Sequence, residues 1–118
     1  MINPKRGELW LVDLNPTIGQ EIQKTRPVVV ISSDLLLSIP MRIIIPVTSW
    51  QEKFESRPFM VKISTTPENK LTVDSAGNVL QVRSISTERF VNRIGKISED
   101  ILKELLAGLI ICIDYELS

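Results

Sequence analysis

Histidine is absent from all 118 residues, and there is one cysteine. Without imidazole, Ser-His-Asp and Cys-His nucleophilic catalysis are excluded, as is any mechanism passing protons between two imidazoles. The usual ligand sets for zinc and non-haem iron disappear with it, and a lone Cys112 cannot close an internal disulfide. Any catalysis by this chain must therefore rest on carboxylate, hydroxyl and guanidinium groups. Aromatics are scarce at 5%, and net charge is zero, 14 basic residues being offset by 14 acidic ones. No apolar run approaches the roughly 20 residues of a membrane-spanning helix, and the opening "MINPKRGE" lacks the apolar stretch of a secretory signal. No membrane association and a cytoplasmic location are the expectation.

What is present is a globular composition, 43% hydrophobic, over a length expected to form a single domain, 1–118, around one core. The neutrality is uneven. Residues 1–98 carry 13 Lys or Arg against 9 Asp or Glu, whereas residues 99–118 carry one Lys and five acids. A mildly basic body is compatible with nucleic acid without requiring it. Cys112, in "GLIICIDYE", lies among large apolar residues and is expected to be a packed thiol.

No internal repeat is evident, and turn signals recur about every 10 to 15 residues, as in small barrels and sandwiches. "GELWLVDLNP" alternates as a strand and stops at Asn15-Pro16, while "NPTIGQEIQKT", residues 15–25, is polar and reads as an exposed connection of functional length. In "QKTRPVVVIS" proline pushes Arg26 into extended geometry. The unbroken β-branched run after it predicts a strand buried on both faces. "SDLLLSIP" reads as a helical turn ended by Pro40, "MRIIIPVTS" as a third strand and "RPFMVKIS" as a fourth. "LTVDSAGNVLQVRSIS" is expected to hold two short strands broken near Ala76-Gly77-Asn78. "STERF" reads as a helical turn and "NRIGKIS" as a last strand. Ser98 is a natural N-cap with Glu99 and Asp100 in the first turn, and Ile101, Leu102, Leu105, Leu106, Leu109 and Ile110 then recur at helical spacing. The result is a mainly β fold with a C-terminal α-helix, a compact barrel or curled sheet with the helix packed on it.

Chemistry can collect where the end of one strand meets the start of an antiparallel neighbour, a geometry that allows Arg26 and Thr48 to share a sheet edge. The loop carrying Glu21 leads directly into Arg26. Such a trio suits phosphoryl chemistry. A guanidinium clamps two phosphate oxygens and stabilises charge building on phosphorus, a carboxylate takes a proton from an attacking hydroxyl, and a threonine donates to phosphate. The same residues also read as a snorkelling rim charge, a loop acid paired with Lys24, and a strand-end turn former.

The stretch "RGELWLVDLNPTIGQEIQKTRPVVVIS" resembles the N-terminal signature of the MazF/PemK family of toxin endoribonucleases, from a Gly-acid-aromatic strand through Asp-x-x-Pro-x-x-Gly-x-Glu to Arg-Pro and an apolar strand. The resemblance continues through "VTS" at 47–49, "RPFMV" at 57–61, "DS" at 74–75, "QVRSIS" at 81–86 and "RIGKIS" at 93–98, covering nearly the whole chain in order. It implies a dimeric, small SH3-like β-barrel of the PemK/CcdB type that cuts single-stranded RNA without a metal or other cofactor and is held inactive by a cognate antitoxin. It also implies that Arg26 and Thr48 are the catalytic arginine and hydroxyl, that Glu21 is the acid of the preceding loop, and that the RNA 2′-hydroxyl is the nucleophile, leaving a cyclic phosphate and a 5′-hydroxyl. Leu80 stands where an acidic residue often precedes the family's glutamine, here Gln81. The "TTPENKLTV" connection also departs from familiar examples.

Further residues suit RNA binding. Lys24, Lys53, Arg57 and Arg83 can line a phosphate track, Ser49 stands beside Thr48, Gln81 is expected to contact substrate as the resemblance implies, and Trp50 can stack on an unpaired base. Each has a commonplace alternative as a solvated charge or core cover, and Trp10 reads as core. Surplus Ile and Leu near 36–45 and 105–113 can face a second subunit. Related barrels include toxins that bind a protein such as DNA gyrase, so a non-enzymatic interaction module is the alternative.

Overall fold

A computed structural model of the chain describes residues 2–21 and 24–116. Its strands are β1 (Glu8–Asp13), β2 (Thr25–Val30), β3 (Met41–Ser49), β4 (Met60–Ile63), β5 (Ser75–Asn78), β6 (Arg83–Ser86) and β7 (Phe90–Lys96), followed by helix α1 (Glu99–Cys112). All strand pairs are antiparallel. They run in the order β4-β5-β3-β2-β1-β7, with β6 also on β3. The exposed connection expected over 15–25 is present as a loop up to Lys24, apart from Ile22 and Gln23, which lie outside the described residues.

The unbroken apolar run of β2 is explained by two-sided burial. Val29 and Ile31 join Leu9, Ile45, Val47, Leu102 and Leu105 in one cluster. Val28 and Val30 join Trp10, Val12, Ile44, Ile85 and Phe90 in another. Trp10 is core, as its sequence context suggests, with Phe90 edge-on to it at 5.7 Å and its indole N–H donating to Glu8 Oε1 at 3.1 Å.

Strand β3 joins the two halves of the sheet. Its first residues pair with β6, from Met41↔Ser86 to Ile44↔Arg83, and its last with β5, from Val47↔Gly77 to Ser49↔Ser75. Pro46, which has no N–H for a ladder, stands between the two sets of partners. The expected barrel is not closed by hydrogen-bonded strands, because β4 and β7 remain at opposite ends of the strand path. The loop of residues 64–74 bridges toward β7 instead: Lys96 N donates to Glu68 O at 3.0 Å. A Cβ on Gly95 would come within 2.5 Å of Glu68 O, so glycine is what lets the loop sit against the strand.

Two expectations are corrected. The break foreseen at Ala76-Gly77-Asn78 is strand β5, buried throughout, and the interruption falls at a 3-10 turn over Val79–Gln81. Gly77 is there for space and not for a turn, since a Cβ would meet Leu105 Cδ2 of α1 at 2.5 Å. Cys112 is exposed, although it lies two helical turns beyond buried Leu105 on nearly the same side of α1. The cover that Leu105 receives does not extend to the last turn, where Ile111 and Ile113 are exposed as well. At its other end α1 starts as expected, with Ser98 Oγ accepting from Ile101 N at 3.2 Å and Glu99 and Asp100 in the first turn.

Candidate active site

Arg26 and Thr48 are brought together by register. Strand β2 pairs with β3 through Val28↔Pro46, so continuing the ladder by two residues sets Arg26 opposite Thr48. Val28 to Val30 are fully buried, and Arg26 also pairs with Val12 of β1, so its backbone is held from within the sheet. Thr48 is held on its other side by Ala76 of β5. Arg26, Thr48 and Ser49 line one cavity of about 210 Å³, which is also walled by Leu71, Thr72 and Val73 from the loop bridging toward β7. A cavity of that size with a guanidinium and two hydroxyls suits a tetrahedral anion.

Glu21 is not among the residues that line this cavity. It lines a second cavity of about 410 Å³ with Leu80, Gln81 and Arg83. Its Oε1 accepts from the Ile18 backbone N–H in a turn also closed by Glu21 N donating to Ile18 O at 3.2 Å. The loop is fixed at its base, where Lys24 N donates to Asn15 Oδ1 at 3.0 Å and Arg89 Nη1 reaches both Asp13 O and Asn15 O, at 3.0 and 2.6 Å. Gln81 Nε2 donates to Gln20 O at 3.0 Å, tying the Glu21 segment to the β5–β6 connection. Gln81 thus holds the loop, and Leu80 beside it is exposed. Lys24 is exposed and adopts a left-handed backbone, φ 72°.

The remaining expected RNA contacts divide. Trp50 lines a third cavity, about 550 Å³, with Met60, Lys62, Glu52 and Glu55. Its ring is flanked by Lys62 Nζ at 5.3 Å and by the edge-on Phe54 ring at 5.8 Å. Arg57 lies over Phe54, 5.7 Å from the ring centre, and Lys53 is exposed on the 3-10 turn Glu52–Ser56.

Among the cations near the site, Lys62 escaped the sequence reading. Lys62 pairs with Ala76, which pairs with Thr48, so Lys62, Ala76, Thr48 and Arg26 form a row across four strands. Neighbours in such a row share a face. The signal was available in the alternation of "MVKIS", but only the sheet order shows which row Lys62 joins.

Fold and site together define a mainly β domain that carries a cavity lined by a guanidinium and two hydroxyls where two central strands meet. Residues 5–113 match the family of PemK-like, MazF-like toxins of type II toxin-antitoxin systems, and the chain belongs to that family. Among curated proteins it is 38% identical over 116 residues to endoribonuclease MazF9 of Mycobacterium tuberculosis, covering 93% of this chain and 96% of that one. It is 31% identical over 109 residues to endoribonuclease PemK of Escherichia coli, covering 89% and 78%. Among solved structures, MazF of Deinococcus radiodurans superposes with a TM-score of 0.81 at 22% identity, over 98% of this chain and all of the other. A mycobacterial endoribonuclease in complex with its cognate antitoxin gives 0.74 at 12% identity, over 98% and 99%. At those identities the superpositions speak to the fold.

Proposed function

We propose that the protein is a sequence-selective endoribonuclease toxin that cuts single-stranded RNA without a metal ion, acts in the cytoplasm and is neutralised by a cognate antitoxin. The observation that carries this reading is the Arg26/Thr48 pair lining one anion-sized cavity in a chain whose curated relatives are endoribonucleases. Those relatives also make the alternative of a purely protein-binding toxin the less favoured one.

In the reaction the ribose 2′-oxygen attacks phosphorus and the P–O5′ bond breaks, giving a 2′,3′-cyclic phosphate and a 5′-hydroxyl. Arg26 neutralises the charge that builds on the non-bridging oxygens and Thr48 donates a hydrogen bond to one of them. Glu21 takes the proton from the 2′-hydroxyl, and the departing 5′-oxygen takes one from water. Because the attacking 2′-oxygen lies about 3 Å from the phosphorus that Arg26 clamps, this assignment requires the Glu21 carboxylate to come within hydrogen-bond reach of that oxygen when RNA is bound.

Cleavage of a long single-stranded RNA in excess chelator is the test. The expected result is cutting by the wild type, a loss on the order of 100-fold or more for Arg26→Ala and for Glu21→Gln, and no cutting where the scissile nucleotide carries deoxyribose. No cleavage by the wild type, or undiminished cleavage by Arg26→Ala, overturns the nuclease reading. Continued cutting at deoxyribose overturns the 2′-hydroxyl mechanism.

A homodimer is part of the proposal. It is supported by apolar side chains left exposed at Leu35, Leu36, Ile39, Met41 and Ile43, and again at Ile111 and Ile113. Sedimentation velocity distinguishes one copy from two. The antitoxin, on this reading, lays an acidic segment where RNA phosphates would lie.

A further inference from the structure

The loop of residues 64–74 has a single buried residue, and it is polar: Asn69 is 2% exposed. Its side chain is engaged with the loop's own backbone through both Oδ1 and Nδ2. Oδ1 accepts from Thr66 N at 3.1 Å and from Leu71 N at 3.0 Å, and Nδ2 donates to Ser64 O at 2.9 Å. Thr66 Oγ1 accepts from Asn69 N in return, at 3.1 Å. Beside it Lys70 turns the chain through a left-handed conformation, φ 55°, with its N–H bonded to Thr66 O at 3.2 Å.

The knot is seated from outside. Lys96 N donates to Glu68 O at 3.0 Å, and a Cβ on Gly95 would lie 2.7 Å from Asn69 O as well as 2.5 Å from Glu68 O. At the far end Asp74 closes the loop, its Oδ1 accepting from Thr65 N at 3.0 Å and its carbonyl from Trp50 N at 3.0 Å. Between these anchors stand the three residues that wall the Arg26/Thr48 cavity. Leu71 packs partly against the core, while Thr72 and Val73 are exposed. An exposed hydroxyl and an exposed branched apolar side chain are poor material for a core and good material for contacting a base. Their backbone is fixed by bonds that do not depend on Arg26 or Thr48.

We propose that residues 71–73 select the nucleotide next to the scissile phosphate, and that Asn69 is the positioning residue that sets this wall. The inference rests on the nuclease reading above and adds to it where selectivity resides. Pinning a short wall on a rigid knot lets it discriminate bases by shape and by one hydroxyl, while the phosphate chemistry stays on the strands.

The experiment compares cleavage-site profiles on one long RNA for the wild type, Asn69→Ala, Gly95→Ala, and the surface pair Thr72→Ala and Val73→Ala. The last two change exposed side chains, so folding does not limit them. The expected outcome is that the ratio of kcat/KM between preferred and disfavoured nucleotides at the position flanking the cut falls by about tenfold or more in the wall variants. Asn69→Ala and Gly95→Ala, which loosen the same wall from its two sides, should shift the profile in the same direction. Asn69→Asp, which retains both bonds to Oδ1, should retain more of the wild-type preference than Asn69→Ala. A loss of rate that is uniform across sequences, with the profile unchanged in the wall variants, overturns the proposal and leaves the nuclease reading standing. Absence of any cleavage by the wild type overturns the nuclease reading itself.

Discussion

Arg42 is 3% exposed, and its hydrogen-bond partners among the described residues are neutral. Nε donates to Pro4 O at 2.8 Å, Nη1 to Ile39 O and Met41 O at 2.6 and 2.8 Å, and Nη2 to Asn3 Oδ1 and Leu37 O at 3.0 and 3.3 Å. A buried guanidinium is tolerated only when its donors are met, and here backbone carbonyls do it, tying residues 3 and 4 to the start of β3. Arg42→Met leaves those carbonyls without their donors, and the expected cost is about 3 kcal/mol in urea denaturation, with Arg42→Lys retaining a fraction. A loss below about 1 kcal/mol would show that water replaces the side chain. Nothing in "PMRIII" separates this arginine from Arg26 in "KTRPVV". Both stand beside apolar runs, and only the fold shows that Arg42 is buried while Arg26 lines a cavity. Arg26 and Thr48 were legible because strand-end adjacency follows from antiparallel order. That Glu21 lines another cavity was not, since a loop's path depends on distant anchors such as Gln81 and Arg89.

At the level of elements, α1 and β5 meet through a glycine. Gly77→Ala places a methyl 2.5 Å from Leu105 Cδ2. Because that atom is the end of a side chain, Leu105 can turn away at an expected cost of about 1–2 kcal/mol. Leu105→Ala, which removes a fully buried side chain, is expected to cost about 2–4 kcal/mol. In the double variant the added methyl finds room, so the cost of Gly77→Ala should largely vanish. Thermal melts of the four proteins read that coupling directly, and strictly additive losses would show that the contact does not limit packing. This is also why the sequence misplaced the break between β5 and β6. A glycine demanded by a helix distant in sequence looks, locally, like one demanded by a turn. The helix itself, the third strand and the two-sided burial of β2 were readable because periodicity and β-branching act within each segment. The open strand path was not readable, because the seating of residues 64–74 on Gly95 is a contact between separate parts of the chain.

For the molecule as a whole, zero net charge conceals the arrangement that matters for a polyanion. The basic excess lies in residues 1–98 and the acidic excess in residues 99–118, a segment that begins with α1. On the sheet, Lys62 and Arg26 lie in one row with Thr48 between them, and Arg83 lines the cavity that holds Glu21. Long-range attraction from a neutral molecule is weak, so RNA affinity must come from these few local contacts and the ions they displace. About three phosphates neutralised on a single strand correspond to a slope near −2 in log affinity against log salt. A tenfold rise in salt should therefore weaken binding about 100-fold, measured with an RNA carrying deoxyribose at the scissile position so that the proposed mechanism leaves it uncut. Lys62→Ala should reduce the slope by about 0.7, whereas Lys103→Ala, in the acidic segment, should leave it unchanged. A response flat in salt would mean that the row does not carry phosphate. An equal effect of the two lysines would mean that RNA responds to total charge and not to the face that holds Arg26.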